Sequence, residues 1–406
     1  MKLIGIGAAG NKAVKFVVDS LGEKHAPDYL LINTTTKDFP ENSDGHCALI
    51  SNTGGCGKER AISEELTERF LSNKECVERL NKFLVGENGN ETHVVLVTSM
   101  GGGTGSGATN LLADWIYEKV GMDVTIIAFK GLGEDLRERQ NTIDFMKEVS
   151  PNVTLQIIDN SKFMKEASGN KVEAERLANS QLLTSVIFML PFKFRKAAQN
   201  IDDTDRYKVV TMPGYQFIEY GELEDIRNKE DMEEAIKKVV DNSYSLPTTP
   251  SCGCMGIVFT VDESTEKWID YNWTYLKERY GAATEIYPHI QRRREENPEK
   301  REWVAFIISG LKLPIGELEK MYDEYQDYAR ETDTAPDRFH EMANQMDTSV
   351  IESSRFNRGA NRRRRIMGAD TTQSSETDDF FAKRKAQQKD GISNGTFTTG
   401  DGQSQF

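Results

Sequence analysis

Long apolar runs and cysteines are both scarce in this sequence. The longest apolar stretches, such as 303–311, are far shorter than the roughly 20 residues that a membrane-spanning helix needs. Residues 1–5 are too short and too glycine-rich for a secretory signal, so we expect a cytoplasmic protein without membrane contact. Five cysteines do not suit a disulfide framework. Cys252 and Cys254 have a spacing that a metal ion can use, but no second pair completes four ligands.

The composition is that of a large globular protein with an uneven distribution of charge. Apolar residues make up 37% and charged residues 29% of the 406 positions, and the length suggests two domains or one domain with appendages. Residues 355–406 hold ten Lys/Arg against six Asp/Glu, a balance of +4, which leaves −18 for residues 1–354 out of a total of −14. An acidic body argues against nonspecific DNA binding by the folded part.

The first 180 or so residues alternate between short β-branched runs and longer segments of mixed polarity. The predicted strands are 3–6, 29–33, 93–98, 124–129 and 154–158, with helical segments such as 58–70 and 108–120. This alternation predicts an α/β fold with a parallel sheet flanked by helices. Such sheets bind ligands at the carboxyl ends of their strands, where the connecting loops gather.

The rest of the chain predicts a long helix, a second α/β unit and a polar tail. Leu177, Leu182 and Val186 recur near helical spacing, and apolar runs at 256–261 and 303–308 indicate further strands. A helix at 317–345 follows, with Leu318, Met321, Tyr325 and Tyr328 along one side. The expected divisions are a first α/β domain (1–172), a central helix with the loop that follows it (173–205), a second domain (206–315), a C-terminal helix (316–346) and a disordered basic tail (347–406).

Two glycine-rich loops are candidates for binding phosphate. Residues 5–10, GIGAAG, satisfy the dinucleotide fingerprint G-x-G-x-x-G, which is a weak signal by itself. The acidic residue expected at the end of the second strand is missing, because Asn33 and Thr34 stand there. A Rossmann oxidoreductase remains an alternative on this loop alone.

The second loop, GGGTGSG at 101–107, follows a predicted strand and has five glycines in seven residues. Such a backbone can curl its N–H groups around an anion, and the dipole of the helix predicted to begin at Ala108 adds to the attraction. The simpler interpretation is a flexible turn. A P-loop is excluded, since Gly57-Lys58 is followed by Glu59 rather than Ser or Thr.

These loops together resemble those of the tubulin/FtsZ superfamily of GTPases, whose signature G-G-G-T-G-[ST]-G is similar to residues 101–107. The likeness covers roughly 1–346 and extends to TubZ-type plasmid and phage tubulins through 33–39, 157–163 and 306–314. It implies binding of GTP with Mg²⁺ held mainly by the phosphates, and a third loop that senses the γ-phosphate through Gly57 and Arg60. The implied phosphate-site residues are Gly7, Ala8, Ala9, Asn11, Asn33, Gly57, Arg60, Gly101, Gly102, Gly103, Thr104, Gly105 and Ser106.

The same resemblance implies contacts to ribose and base. Asp135 and Arg139 match the family's acid and Arg near the ribose, while Asn160 and Asn179 match its two guanine-reading Asn residues. An Asn side chain presents both a donor and an acceptor to the guanine edge, although a lone Asn is often just a cap or a turn residue. Glu175 stands where the family often stacks an aromatic ring on the base, so the sequence departs from the pattern there.

Catalysis is implied for residues that follow the central helix. The segment 200–205 fits N-x-D-x-x-D, which makes Asn200, Asp202 and Asp205 the candidate catalytic residues. In the family these acids enter the GTP site of the neighbouring subunit and position the attacking water. The alternative is that Asp202 and Asp205 simply cap a helix N-terminus.

The function implied by the resemblance is a filament-forming GTPase that hydrolyses GTP at the contact between subunits and moves plasmid or phage DNA in a bacterial cell. Its partners would be further copies of itself and a DNA-binding adaptor that binds the C-terminal tail, with DNA contacted indirectly. The tail carries basic clusters at 362–365 and 383–385, which would otherwise be a solvated charge run. An FtsZ-like division protein stays open as an alternative function, whereas Asp202 and Asp205 argue against a non-hydrolysing structural relative.

Overall fold

The computed structural model describes residues 1–334 except positions 23, 52, 87, 88, 90, 134, 191–200, 247, 249, 284 and 293–300. The predictions for Asn200, for the end of the C-terminal helix and for the basic tail therefore lie outside the described residues. Within those residues, no helix is long and apolar enough to cross a membrane.

Ten strands form one sheet in the order β3-β2-β1-β4-β5-β6-β7-β10-β8-β9. Neighbours from β3 to β7 pair in parallel, as do β8 and β9, whereas β10 runs antiparallel to both of its neighbours. The strands are β1 (Lys2–Ile6), β2 (Tyr29–Asn33), β3 (Cys47–Leu49), β4 (His93–Ser99), β5 (Asp123–Lys130), β6 (Thr154–Asp159), β7 (Gly214–Leu223), β8 (Cys254–Val261), β9 (Glu285–Arg292) and β10 (Glu302–Leu311). The five strands predicted in the first half are confirmed to within one residue.

Twelve α-helices lie among the described residues, eleven of them between strands. They are α1 (Gly7–Leu21), α2 (Arg60–Ser72), α3 (Lys74–Val85), α4 (Gly103–Trp115), α5 (Leu136–Lys147), α6 (Asn160–Glu166), α7 (Lys171–Met189), α8 (Asp203–Thr211), α9 (Lys229–Asp241), α10 (Glu263–Glu266), α11 (Thr274–Tyr280) and α12 (Ile315–Thr334). A 3₁₀ turn (Thr36–Asp38) follows β2, and a π-helical turn (Ile116–Val120) continues α4. Several elements, such as α3, α9 and β7, are not predicted from the sequence.

The helices cover both faces of the sheet and enclose a core on each side. Because successive side chains of a strand point to opposite faces, Val94 and Leu96 of β4 join one cluster while Val95 and Val97 join the other. Helices α1, α6, α7 and α8 pack on the second cluster, and α2–α5, α9, α11 and α12 pack on the first. The prediction of a mostly parallel sheet between two helical layers is confirmed.

The central helix α7 joins the two parts of the sheet, the first formed by β1–β6 and the second by β7–β10. Strands β6 and β7 pair through only two residue pairs, beginning at Thr154 and Gly214. Helix α7 strengthens this junction, because Ser185 accepts a hydrogen bond from Gln156 of β6 (2.8 Å) and Gln181 donates to the carbonyl of Ile218 in β7 (2.7 Å). The sheet is thus continuous across the boundary, while the proposed division into domains remains a prediction.

One helix boundary predicted from the sequence is wrong. Helix α4 begins at Gly103, not at Ala108, so most of the glycine-rich loop forms the first turn of the helix. Glycine lowers helix propensity by only about 1 kcal/mol per residue relative to Ala, which tertiary packing readily offsets. Glycine is required in this turn because a Cβ atom on Gly103 or Gly105 would overlap with neighbouring backbone atoms.

Candidate nucleotide-binding site

A cavity of about 410 Å³ lies at the carboxyl ends of β1, β2 and β4. Its size falls within the range of about 300–1,000 Å³ that is common for small-molecule sites. Nine of the residues predicted to contact phosphate line it: Gly7, Ala8, Ala9, Asn33, Gly57, Gly102, Gly103, Thr104 and Gly105. The structure therefore brings four separate chain segments together around one cavity.

Two helices begin at the cavity and direct their N-termini at it. The residues that precede α1 and α4, Ile6 and Gly102, make no side-chain capping hydrogen bond. The first amides of both helices are therefore not covered by a capping side chain, and both helix dipoles favour an anion at this place. Gly7 adopts φ +75°, a left-handed conformation that favours glycine. These features suit the phosphate groups of a nucleotide.

The glycines of the 101–107 loop let backbone segments pack closely. A Cβ atom on Gly103 would lie 2.9 Å from Cα of Lys58, and one on Gly105 would lie 2.9 Å from the carbonyl oxygen of Ser99. A Cβ atom on Gly102, in contrast, would meet no atom within 4 Å. Gly103 and Gly105 therefore hold neighbouring loops against α4, and Gly102 is the glycine with open space beside it.

Hydrogen bonds connect the loops to one another. The hydroxyls of Thr34 and Thr104 are 2.8 Å apart, which joins the loop after β2 to the first turn of α4. Nδ2 of Asn141 donates to the carbonyls of both Lys58 and Gly101 at 3.0 Å. These hydrogen bonds join the loops after β2, before α2 and before α4.

Arg60, predicted to sense the γ-phosphate, does not line the cavity. It is 7% exposed, its Nε donates to the carbonyl of Ser106 (3.3 Å), and its guanidinium forms ion pairs with Glu64 (2.9 Å) and Glu148. Burial raises the pKa of Glu148, although Arg60 opposes that shift. Arg60 therefore contacts the first turn of α4 and two carboxylates behind the cavity lining.

Asn11, Gly101 and Ser106 also lie outside the cavity lining. Asn11 is fully buried and its Nδ2 donates to the carbonyl of Ile32 (3.3 Å). The hydroxyl of Ser106 donates to the carbonyl of Gly102 within the first turn of α4. These three residues support the loops from behind.

Lys58, which in the sequence serves only to exclude a P-loop, is a cation that lines the cavity. Its Nζ lies 2.5 Å from Oδ2 of Asp135 and 4.0 Å from Glu138, and its backbone has φ +62°. The hydrogen bond with Lys58 lowers the pKa of Asp135. Further lining residues that are not predicted from the sequence are Ile6, Thr35, Lys37, Asp38, Gly54, Gly55, Cys56 and Ser99. The only local signal for them is their position next to the recognised loops.

The residues predicted to contact ribose lie beside the cavity on α5. Asp135 caps this helix by accepting from the backbone N–H of Glu138 (2.7 Å). Nε of Arg139 donates to the carbonyl of Gly133 (2.8 Å), and its Nη1 forms an ion pair with Glu324 of α12 (3.1 Å). Neither residue is part of the cavity lining.

The residues predicted to read guanine lie on α6 and α7. Asn160 is the first residue of α6, at the carboxyl end of β6, and its Oδ1 is buried without a hydrogen-bond partner among the described residues. Asn179 is half-buried on α7, and Glu175 is exposed one turn before it. Both Asn residues lie outside the cavity lining.

The predicted catalytic acids lie at the opposite edge of the sheet. Asp202 caps α8 by accepting from the N–H of Asp205 (2.8 Å), as the simpler interpretation expected. The hydroxyl of Tyr207, on the same helix, donates to the carbonyl of Thr92 (3.1 Å) and to Asp123 (2.6 Å), where β4 and β5 begin. Seven residues of β4 span roughly 20 Å, so the acids are far from the cavity of their own chain.

No group of three or more His, Cys, Asp or Glu residues in the described part of the chain could hold a metal ion. The five cysteines, all of which are described, are free thiols. Burial raises the pKa of Cys252 and Cys254 to about 12, which favours neutral thiols over metal-binding thiolates.

Comparison with known proteins agrees with this geometry. Residues 1–168 match the tubulin/FtsZ family GTPase domain. The chain is 29% identical over 268 residues to the tubulin-like protein TubZ of Clostridium botulinum C phage, covering 63% of this chain and 68% of that protein. It is 25% identical over 276 residues to the cell division protein FtsZ of Buchnera aphidicola, covering 66% of this chain and 68% of that one.

The fold is also similar to that of solved structures. A GTPγS-form protofilament of Bacillus thuringiensis serovar israelensis TubZ superimposes with a TM-score of 0.68 at 16% identity. The match covers 85% of this chain and 94% of that chain. The similarity therefore extends through the second part of the sheet, beyond the residues that match the family's GTPase domain.

Proposed function

We propose that this chain, which carries a GTPase domain of the tubulin/FtsZ family, assembles head to tail and hydrolyses GTP where successive subunits meet. One observation carries the proposal: the cavity lies at the carboxyl edge of the parallel strands, and the helix capped by Asp202 lies at the amino edge. When two copies stack along the strand direction, the amino edge of one faces the carboxyl edge of the next. The acids then approach the neighbour's cavity rather than their own.

The chemistry needs little more than positioning. Phosphoryl transfer depends mainly on orientation and on stabilisation of charge. The amides at the starts of α1 and α4 would hold the phosphates, and Mg²⁺ bound through those phosphates would neutralise part of their charge. Asp202, Asp205 and Asn200 of the adjacent subunit would orient the attacking water. Neither half of the site is sufficient alone, which couples hydrolysis to assembly.

The other proposed contacts complete nucleotide recognition. Asn160 would pair its unsatisfied Oδ1 with a donor on the guanine edge, assisted by Asn179 of α7. Asp135 and Arg139, beside the cavity on α5, would lie near the ribose. These assignments combine the positions of the residues with the family resemblance.

A mixing experiment tests whether the acids act in the neighbouring subunit. Asp202→Asn keeps an N-capping side chain but removes the charge, and Gly102→Val places a side chain in the open space beside Gly102 in the cavity. We expect each purified variant to have little GTPase activity. An equimolar mixture should exceed the sum of the two, because some contacts pair an intact cavity with an intact Asp202.

The matched control is Asp203→Asn, which removes a charge from the same helical turn at an exposed position that pairs with Arg206. It should retain wild-type turnover. The wild-type rate per subunit should also rise with protein concentration. A mixture with no more activity than its parts, together with a rate independent of concentration, would show that hydrolysis occurs within one chain.

We propose further that the filament positions plasmid or phage DNA in the bacterial cytoplasm through an adaptor. The support is the similarity to a phage TubZ and the basic clusters at 362–365 and 383–385. Deletion of 355–406 should spare GTP hydrolysis and filament formation but abolish co-sedimentation with an adaptor–DNA complex. Replacing residues 362–365 with Gln removes the charge without changing the length of the segment. Continued co-sedimentation of the deletion variant at physiological salt would contradict binding of the adaptor by residues 355–406.

A further inference from the structure

The segment 243–246, which follows α9 in the chain, is in contact with α6 along the length of that helix. The carbonyl of Tyr244 accepts from the N–H of Asp159 (3.1 Å), the residue that caps α6. The rings of Tyr244 and Phe163 are stacked with centroids 4.1 Å apart. The Tyr244 hydroxyl donates to Glu166 (2.7 Å) at the end of the helix. We call residues 243–246 the clamp.

Lys162 provides the central contact between α6 and the clamp. Its Nζ donates to the carbonyls of Ser243 and Ser245, both at 2.6 Å. Two carbonyls bound by one ammonium fix the side chain and the clamp backbone together, since hydrogen bonds to charged groups are stronger than neutral ones. Burial lowers the pKa of Lys162, while the nearby charges of Asp159 and Glu219 oppose that shift.

The clamp is anchored on its other side to β7. Glu219 is 3% exposed and accepts from the hydroxyls of Ser243 (2.5 Å) and Ser245 (3.3 Å). The hydroxyl of Tyr215, on the same strand, accepts from the N–H of Leu246 (2.8 Å). The clamp therefore bridges the GTPase domain and the second part of the sheet close to their short β6–β7 junction.

Asn160 lies at the end of α6 that the clamp holds. The backbone N–H of Asp159, the residue before it, donates to the clamp at the carbonyl of Tyr244. The carboxylate of Asp159 accepts from the N–H of Ser161 (3.0 Å). Lys162 follows two residues later, so clamp contacts flank Asn160 on both sides in sequence. With α6 only seven residues long, its own hydrogen bonds leave the orientation of the first residue weakly determined.

We propose that the clamp, through Lys162, sets the orientation of Asn160 and thereby the preference of the site for guanine. This inference rests on the proposed contact between Asn160 and the base. Lys162 is a positioning residue here, because it contacts the clamp and does not line the cavity. The second part of the sheet thus contributes to base selection without supplying a residue that touches the nucleotide.

The test compares GTP with inosine triphosphate, which lacks the 2-amino donor of guanine. Lys162→Met removes the ammonium and keeps an unbranched stem. We expect the dissociation constant for inosine triphosphate divided by that for GTP to fall roughly five- to tenfold toward unity. A change of this size corresponds to the loss of one well-oriented hydrogen bond. Lys165→Met is the matched control, since Lys165 is exposed on the same helix, and its ratio should match the wild-type ratio.

Asn160→Ala tests the proposed base contact separately from the proposed role of the clamp. A normal ratio in Asn160→Ala means that this residue does not read the base, so the proposed base contact is wrong. A reduced ratio in Asn160→Ala with a normal ratio in Lys162→Met leaves the base contact standing and rules out the clamp. Equal weakening of GTP and inosine triphosphate by Lys162→Met, with a lowered Tm, would show that Lys162 only stabilises the fold.

Discussion

At the scale of single residues, the partners of a side chain decide its role more than its place in a motif. Arg60 and Lys58 are two positions apart in GCGKER, yet Arg60 is buried against Glu148 and Lys58 lines the cavity. Lys58 is therefore the better candidate to sense charge in the bound nucleotide.

Lys58→Met should weaken GTP binding by roughly ten- to hundredfold, because the lost contact is a charged one with the γ-phosphate. GDP binding should weaken much less, since GDP has no γ-phosphate. Asp135→Asn keeps the cap of α5 but releases Lys58, so we expect GTP to bind at least as tightly as in the wild type. Titration of fluorescent GTP and GDP analogues measures both effects. Weaker GTP binding by Asp135→Asn would support a direct ribose contact instead.

Glu219 should make stability depend on pH near neutrality. Burial raises its pKa from 4.5 to about 7. Between these values the folded state holds a proton that the unfolded state has lost, so this group's contribution to stability falls as pH rises from 4.5 to 7. Glu219→Gln keeps an acceptor for Ser243 and removes the titration.

Urea unfolding at several pH values measures this effect. We expect the stability of Glu219→Gln relative to wild type to increase from pH 5 to pH 8. A difference that stays constant over this range would show that Glu219 titrates normally despite its burial.

At the scale of elements, the start of α4 shows how one motif serves two purposes. Gly102 lies beside open space in the cavity, while Gly103 is packed against the backbone at Lys58. The glycine-rich sequence thus combines access for phosphate at one position with loop packing at the next.

Gly103→Ala should lower the free energy of unfolding by about 1–3 kcal/mol, because the added methyl overpacks against backbone that cannot easily move. Gly102→Ala should leave that free energy nearly unchanged and reduce only nucleotide affinity. Thermal unfolding without nucleotide, compared with GTP titration, separates the two. Equal stability of the two variants would mean that the 56–59 loop adjusts freely.

At the scale of the whole molecule, helix α12, the last element of the described chain, packs against α5 in the first half of the chain. Leu318 and Met321 pack against the core on the α5 side of the sheet, and Tyr325 is half-buried. Tyr328 lies under the guanidinium of Arg139, 5.5 Å from ring centroid to Cζ. The predicted packing of this helix along the body is confirmed, and its partner is α5 of the same chain.

Truncation after Pro314 should therefore destabilise the protein by about 2–4 kcal/mol through loss of buried apolar surface. Glu324→Gln, which breaks only the largely exposed ion pair with Arg139, should cost less than about 1 kcal/mol. Urea midpoints measure both changes. A truncated protein with wild-type stability and normal assembly would show that α12 is dispensable.

The sequence by itself determined the features that depend on short stretches of chain. The strands of the first half, the alternation that makes the sheet parallel and the two glycine-rich loops were all recognisable, because β-branched residues and glycine act locally on the backbone. The start of α4 predicted from the sequence, Ala108, is too late, since packing against Lys58 outweighs the low helix propensity of glycine at Gly103.

Only the tertiary structure decided which distant segments meet. No local pattern indicates that Lys58 pairs with Asp135, that residues 243–246 hold α6, or that α8 lies across the sheet from the cavity. These contacts join residues separated by about 80 positions or more. Their formation depends on the closure of long loops around a shared core, and that free energy is a property of the whole fold rather than of any one segment.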